Sequence, residues 1–174
     1  GKIYYINYSY QNGTSLNNKI SAWKNKTKLG VAYDLIPHLI DLHYYLFKKK
    51  IGKNYIKNTY KIESKKIDYA DYSFKKDRVN LRMSYLCWKN EFNVKIVGSK
   101  GDLEIKGLSK WGITKLILRK RKIPSGRPIE KTIKYNTISS THLSEYNFLK
   151  KIVNKKTHIK NDSTFIINEF INKN

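Results

Sequence analysis

Arg78-Val79-Asn80-Leu81-Arg82-Met83-Ser84-Tyr85-Leu86-Cys87, followed closely by Glu91-Phe92-Asn93-Val94-Lys95-Ile96-Val97-Gly98-Ser99-Lys100-Gly101-Asp102-Leu103-Glu104-Ile105, is the stretch that decides the fold. Val79, Leu81, Met83, Tyr85 and Cys87 alternate with Arg78, Asn80, Arg82 and Ser84, and Phe92, Val94 and Ile96 alternate with Glu91, Asn93 and Lys95. Successive side chains of a strand point to opposite faces, so this period of two predicts strands with one apolar face. Gly98 to Gly101 reads as a tight turn, and strands joined by short turns form antiparallel ladders. The second face is polar or aromatic, so helices are expected on one side of the sheet only. Cys87, the single cysteine, continues the alternation and reads as a buried strand residue.

Outward from this stretch, Lys2 to Tyr10 reads as a further strand, and two more are expected at Ile113–Arg119 and Ile129–Tyr135, with Pro124 and Pro128 bracketing the loop between them. Gln11 to Lys28 is polar and reads as a loop. Leu35, Leu39, Leu42 and Leu46 recur at helical spacing and predict a helix over Gly30–Phe47, with Lys48 to Lys50 at its C-terminal end and Gly52 as its stop. Leu143, Tyr146, Leu149 and Val153 mark a helix within Ser140–Asn154. Asp162 or Ser163 is positioned to cap a last helix carrying Phe165, Ile166 and Phe170. The order strand, helix, strands, helices predicts an α+β domain: a mostly antiparallel, open-faced sheet with helices on one face.

The 174 residues are enough for a single domain with its own core, and 40% hydrophobic residues fit a folded chain. The chain begins at Gly1 and its only methionine is Met83, so a piece of a longer protein is expected. One cysteine cannot close an internal disulfide, which suits a reducing, cytoplasmic setting. No apolar run approaches the ~20 residues of a membrane-spanning helix. The formal charge of +23 invites a nucleic-acid partner. Against it, the arginines that read phosphates in two-pronged fashion are few (Arg78, Arg82, Arg119, Arg121 and Arg127), and the lysines are spread along the whole chain. Solvated lysine accounts for the charge without such a partner.

The chemistry concentrates in Gly30-Val31-Ala32-Tyr33-Asp34-Leu35-Ile36-Pro37-His38-Leu39-Ile40-Asp41. Asp34 and His38 are four apart and Asp41 three further on, so all three project from one side of a helix. An imidazole between two carboxylates can take a proton from a hydroxyl or return one to a carbonyl. Three plainer readings stand beside this: Asp34 as a helix cap with Pro37 tolerated in the first turn, His38 as a satisfied core histidine, and Asp41 as a surface charge.

The same segment resembles the C-terminal domain motif of the glucose-fructose oxidoreductase and inositol dehydrogenase family (Gfo/Idh/MocA), Gly-Gly-x-x-x-Asp-x-Gly-x-His-x-x-Asp, with Gly30, Asp34, His38 and Asp41 in place. Gly1-Lys2-Ile3, Trp23-Lys24, Asp71-Tyr72, Val97 to Gly101 and Ser144 to Phe148 are similar to further family segments, in the same order along nearly the whole chain. Two positions depart from the pattern. Ile36 followed by Pro37 stands where the family has glycine, which would reshape the floor of the substrate site, and Lys24 stands where it has arginine. The resemblance implies a substrate-binding and oligomerisation domain spanning residues 1–174, with a dinucleotide-binding domain expected upstream. It implies His38 as proton donor or acceptor, Asp34 as its orienting partner or as a hydroxyl acceptor, and Trp23, Lys24, Tyr33 and Asp41 around the substrate. The substrate would be a sugar, cyclitol or nucleotide sugar. NAD or NADP would be bound by the missing half, since no G-x-G-x-x-G occurs here. A second copy would pack on the open sheet face. Two alternatives stay open: a non-catalytic assembly domain on the same scaffold, and a basic nucleic-acid-binding domain with Lys115 to Lys122 as its best segment.

Overall fold

The computed structural model describes residues 1–13, 28–136, 141–155 and 162–172. Eight strands form one open sheet: β1 (Ile3–Gln11), β2 (Ile56–Tyr60), β3 (Tyr69–Phe74), β4 (Val79–Ser84), β5 (Glu91–Gly98), β6 (Gly101–Lys106), β7 (Thr114–Lys120) and β8 (Ile129–Tyr135), in the order β2-β3-β4-β1-β5-β6-β7-β8. Among the described residues three α-helices accompany it: α1 (Val31–Phe47), α2 (Thr141–Lys155) and α3 (Asp162–Asn172). Every pairing is antiparallel except β1 with β4, where the chain leaves β1, passes through α1, β2 and β3, and returns alongside. The α+β architecture read from the alternation is therefore the one found.

The register sorts the two faces. Ile6, Tyr8 and Tyr10 lie beside Val79, Leu81 and Met83, with Ala70, Tyr72 and Phe74 on one flank and Phe92 and Val94 on the other, and all are buried. Helix α1 packs across β1, β3 and β4, and α3 packs on α1. The buried stripe of α1 is Val31, Ala32, Leu35, Ile36, Leu39, Ile40 and His43. Leu46 is exposed and Leu42 only partly covered, so the stripe is rotated from the one the leucines suggested, because β-branched residues and a histidine share it. Leu39 is fully buried; Leu39→Ala would remove roughly 2–5 kcal/mol.

The start of α1 depends on Gly30. Its φ is +51°, and an added Cβ would lie 2.1 Å from the Ile67 carbonyl oxygen, which also accepts the Val31 N–H at 2.8 Å. Lys48, in a left-handed conformation with its N–H on the Tyr44 carbonyl, closes the helix; Gly52 instead donates its N–H to Asp77. Pro37 is the seventh helical residue rather than a first-turn one, and offers no N–H to the Tyr33 carbonyl one turn back.

The second face is polar and internally bonded. Arg119 reaches Asp102, Glu104 and Glu130, and Glu104 also accepts from Asn93. Glu104 is 6% exposed. Burial alone would raise its carboxyl pKa, but Asn93, Arg119 and Lys106 together hold it below the usual carboxylate range. Arg82 pairs with Asp71, and Asn80 donates to Asn7. On α2, Leu143, Tyr146, Leu149 and Val153 form the expected stripe and are exposed. No helix among the described residues is long and apolar enough to cross a membrane.

One strand ends earlier than the alternation implied. β4 stops at Ser84, whose hydroxyl takes the Leu86 N–H, while Tyr85 donates its N–H to Asp68 and Cys87 its N–H to Asn12. Cys87 is thus a half-buried loop residue rather than a buried strand one, with its thiol 2.8 Å from the Lys89 carbonyl.

Candidate functional site

Strands β1, β4 and β6 all finish at the same end of the sheet, and β5 begins there, as the pairing of Tyr10 with Met83 and Phe92 and of Asn93 with Lys106 shows. Helix α1 crosses this end with its second turn. Asp34 is half-buried and His38 exposed on it. The Tyr85 hydroxyl donates to Asp34 Oδ2 at 2.7 Å. Tyr85 is 7% exposed; burial first, and then the Asp34 carboxylate, push its phenol pKa far up, so it remains a donor. Asp34 therefore belongs to the body of the helix and is tied to the strand end; it is not an N-cap.

The His38 ring lies against Tyr10, with ring centroids 5.8 Å apart, and among the described residues no carboxylate hydrogen-bonds to it. Side chains four apart on a helix are neighbours about 5–6 Å apart at Cβ, which permits a hydrogen bond without enforcing one, and Tyr85 holds Asp34. Asp41 is exposed, one turn further along, and Tyr33 is 37% exposed at the start of the helix. Trp23 and Lys24 lie outside the described residues. Ile36, which replaces the family glycine, is 1% exposed and belongs to the core. It points away from the surface that carries His38 rather than forming a floor for it.

Long-range pairing adds residues that local spacing does not reveal. Tyr10 meets Phe92 and Trp111 edge-on, both at 5.6 Å between centroids. After β6, a single 3₁₀ turn, Ser109–Trp111, presents Lys110, whose Nζ donates to the Tyr10 hydroxyl at 2.9 Å and lies 4.7 Å from the Trp111 ring centroid. The sequence signal was a short loop flanked by Gly107 and Gly112 at a strand end. It becomes legible only once β6 is known to finish at the same sheet end as β1, with β5 between them.

The second histidine of α1, His43, is 4% exposed, with Nδ1 at 3.0 Å from the Tyr8 hydroxyl and its ring 4.9 Å from Phe47. Burial lowers its pKa to about 4, with Asp77 opposing and Lys49 adding to the shift. It is a neutral core residue, the role that spacing alone had left open for His38. Among the described residues no group of three or more His, Cys, Asp and Glu could hold a metal ion.

Gly98 to Gly101 is a hairpin between β5 and β6, and not the strand-to-helix turn that cradles a pyrophosphate. That hairpin is thus not a cradle for a dinucleotide phosphate.

Comparison with known proteins bears on the family and the fold. Residues 1–167 match the model of the oxidoreductase family C-terminal alpha/beta domain, GFO_IDH_MocA_C. No curated protein matches the sequence. Among solved structures, the chain is similar to a dehydrogenase from Clostridium difficile, with 12% identity, a TM-score of 0.69, and coverage of 99% of this chain and 54% of that one. It is also similar to the UDP-N-acetylglucosamine 3-dehydrogenase of Acidithiobacillus ferrooxidans, with 13% identity, a TM-score of 0.67, and coverage of 96% and 51%. A levoglucosan dehydrogenase in complex with NADH aligns at 14% identity and a TM-score of 0.57, over 78% of this chain and 40% of that one. The chain thus spans about half the length of the first two structures. A fold shared at these identities, together with a family match over nearly all its residues, places this chain in the Gfo/Idh/MocA oxidoreductase family as a C-terminal alpha/beta domain.

Proposed function

We propose that this chain is the substrate-side domain of an NAD(P)-dependent oxidoreductase that acts on a hydroxyl of a sugar, cyclitol or nucleotide sugar. The observation that carries the reading is an exposed imidazole, His38, one helical turn from a carboxylate fixed by Tyr85, at the sheet end where β1, β4 and β6 finish. A neutral His38 accepts the proton of the reacting hydroxyl and returns it in the reverse direction. Asp34, held by Tyr85, accepts a neighbouring substrate hydroxyl or steadies His38 once it is charged. Tyr33 and Asp41 border this surface on α1, and Trp23 and Lys24 are assigned to it through the family motif. The nicotinamide, when bound, supplies the hydride chemistry. The dinucleotide would be held by an additional domain, a reading supported by the chain's spanning about half the length of the structures it resembles. The open face, with Tyr5 and Tyr60 exposed among its polar residues, suits a second copy of the chain.

The test is nicotinamide absorbance with the complete gene product on a panel of polyols, sugars and nucleotide sugars, with NAD and NADP. His38→Asn is expected to lower kcat by about 100- to 10,000-fold, the usual contribution of a general acid–base. Full activity in that variant, or no nicotinamide reduction with any member of the panel, would overturn the reading.

A further inference from the structure

We propose that Lys110 makes this an anion-recognising site, so that the substrate is a hydroxylated compound that also carries a carboxylate or phosphate group. The inference rests on the reading of the His38 surface as the substrate site, and it adds the substrate's charge. Tyr10 is the shared neighbour: its ring stands 5.8 Å from that of His38 and its hydroxyl 2.9 Å from Lys110 Nζ. The ammonium group is held by that hydroxyl and by the Trp111 ring, whose centroid lies 4.7 Å away.

None of these neighbours neutralises it. Among the described residues no carboxylate pairs with Lys110, whereas Lys49, Lys53 and Lys106 each meet one. A lysine serving solubility alone keeps a mobile, fully hydrated head. Lys110 is itself exposed, but its head is ordered on the Tyr10 hydroxyl and the Trp111 ring, and Tyr10 is also the ring neighbour of the proposed proton-transfer group. Part of the entropy of ordering it is therefore spent in the folded chain before a ligand arrives. The Tyr10 ring it touches is itself 6% exposed and packed between Phe92 and Trp111, so the cation is carried on a rigid support. A fixed cation without a counter-charge, on the side of the reacting group away from Asp34, complements a substrate with its hydroxyl at one end and its anion at the other.

The experiment compares wild type, Lys110→Met, Lys110→Arg and, as a control for the overall positive charge, Lys57→Met on the far sheet edge. Two readouts are taken on the complete gene product: tryptophan fluorescence during titration with inorganic pyrophosphate, and kcat/KM on glucuronate, glucose phosphate and glucose. Lys110→Met is expected to weaken pyrophosphate about tenfold to a hundredfold and to lower kcat/KM on one of the two anionic sugars by a similar factor, chiefly through KM. That is the worth of one hydrogen bond to a charged group. Which of the two falls identifies carboxylate or phosphate. Lys110→Arg keeps most of the affinity, and Lys57→Met and the glucose rate stay within about threefold. Turnover in which Lys110→Met behaves as Lys57→Met does would overturn the anion inference and leave the oxidoreductase reading standing. Pyrophosphate binding that needs Lys110, in a protein with no turnover of any substrate, would sink the reading and keep the anion site.

Discussion

Helix α1 carries two histidines against the same strand, and the two places where they meet it behave in opposite ways. Toward its C-terminal end, His43 meets Tyr8: the ring is 4% exposed, bonded at 3.0 Å, and pushed by burial to a pKa of about 4. One turn and a half earlier, His38 meets Tyr10, and its ring is open to solvent at the end of the sheet. Both pairs consist of the same residue types on the same two elements. What separates them is the cover above. Over His43 the helix, Phe47 and the sheet exclude water, so the charged form is costly and the ring serves packing. Over His38 the sheet stops, and a proton can enter and leave. A histidine's role in this chain therefore follows from where the helix lies relative to the strand ends rather than from its neighbours in sequence.

The strongest way to break that contrast is to remove the buried member. His43→Ala leaves a hole in the core and strips the Tyr8 hydroxyl of its partner at 3.0 Å, and the two effects together should cost about 3–4 kcal/mol. Urea denaturation of the variant checks it, and a loss below about 1 kcal/mol would mean that the pair contributes little to the core.

The next largest effect is acid sensitivity. The folded pKa of His43, about 4, lies below its ordinary value of 6.5, so the neutral form is the one the fold favours. The stability this contributes is fully present above pH 6.5 and is lost as the pH falls through about 4, by at most ~3 kcal/mol. His43→Gln keeps a polar group for Tyr8 but does not titrate, so its stability should fall less steeply over that interval. Equal slopes in wild type and variant, measured by denaturant midpoint against pH, would remove His43 as the cause.

A smaller effect sharpens the comparison on the Asp34 side. Tyr85→Phe deletes the 2.7 Å bond to Asp34 and leaves the ring in place, at a cost of about 1 kcal/mol. If Asp34 acts by steadying the charged form of His38, the pH profile of kcat in the complete gene product should move with this change while KM stays close to wild type. A loss of stability with an unmoved profile would make the bond purely structural.

The fold was readable because its cues are local. Alternation at Val79 to Met83 and Phe92 to Ile96 requires only neighbouring residues, and so does the turn at Gly98 to Gly101. The misreadings came where a distant partner decides. Tyr85 and Cys87 continue the alternation in sequence, yet Asp68 and Asn12 draw their backbone out of the ladder. The burial of Glu104 likewise depends on distant residues, since Arg119 and Asn93 from neighbouring strands satisfy it. Half of the candidate site was legible for the same reason: Asp34 and His38 share a helix, whereas Tyr10, Tyr85 and Lys110 join them only through the order of strands in the sheet. The leucine spacing likewise missed that His43 extends the stripe of Leu35, Ile36, Leu39 and Ile40, which would have marked it as the buried histidine of the two.

The smallest expected effect is the other half of the contrast. His38→Ala removes an exposed ring that lies against Tyr10, so it should leave no cavity and orphan no buried polar group. Surface changes of this kind fall within about 0.5 kcal/mol. The denaturation midpoint should therefore be nearly unmoved by the same change that removes the proposed proton acceptor, while His43→Ala lowers it steeply. A near-zero change at a position one turn from the Tyr85-bound carboxylate would be what the proposed proton-transfer role of His38 requires. A His38→Ala loss of 2 kcal/mol or more, on the order of a core substitution, would reverse that assignment and make both histidines parts of the core.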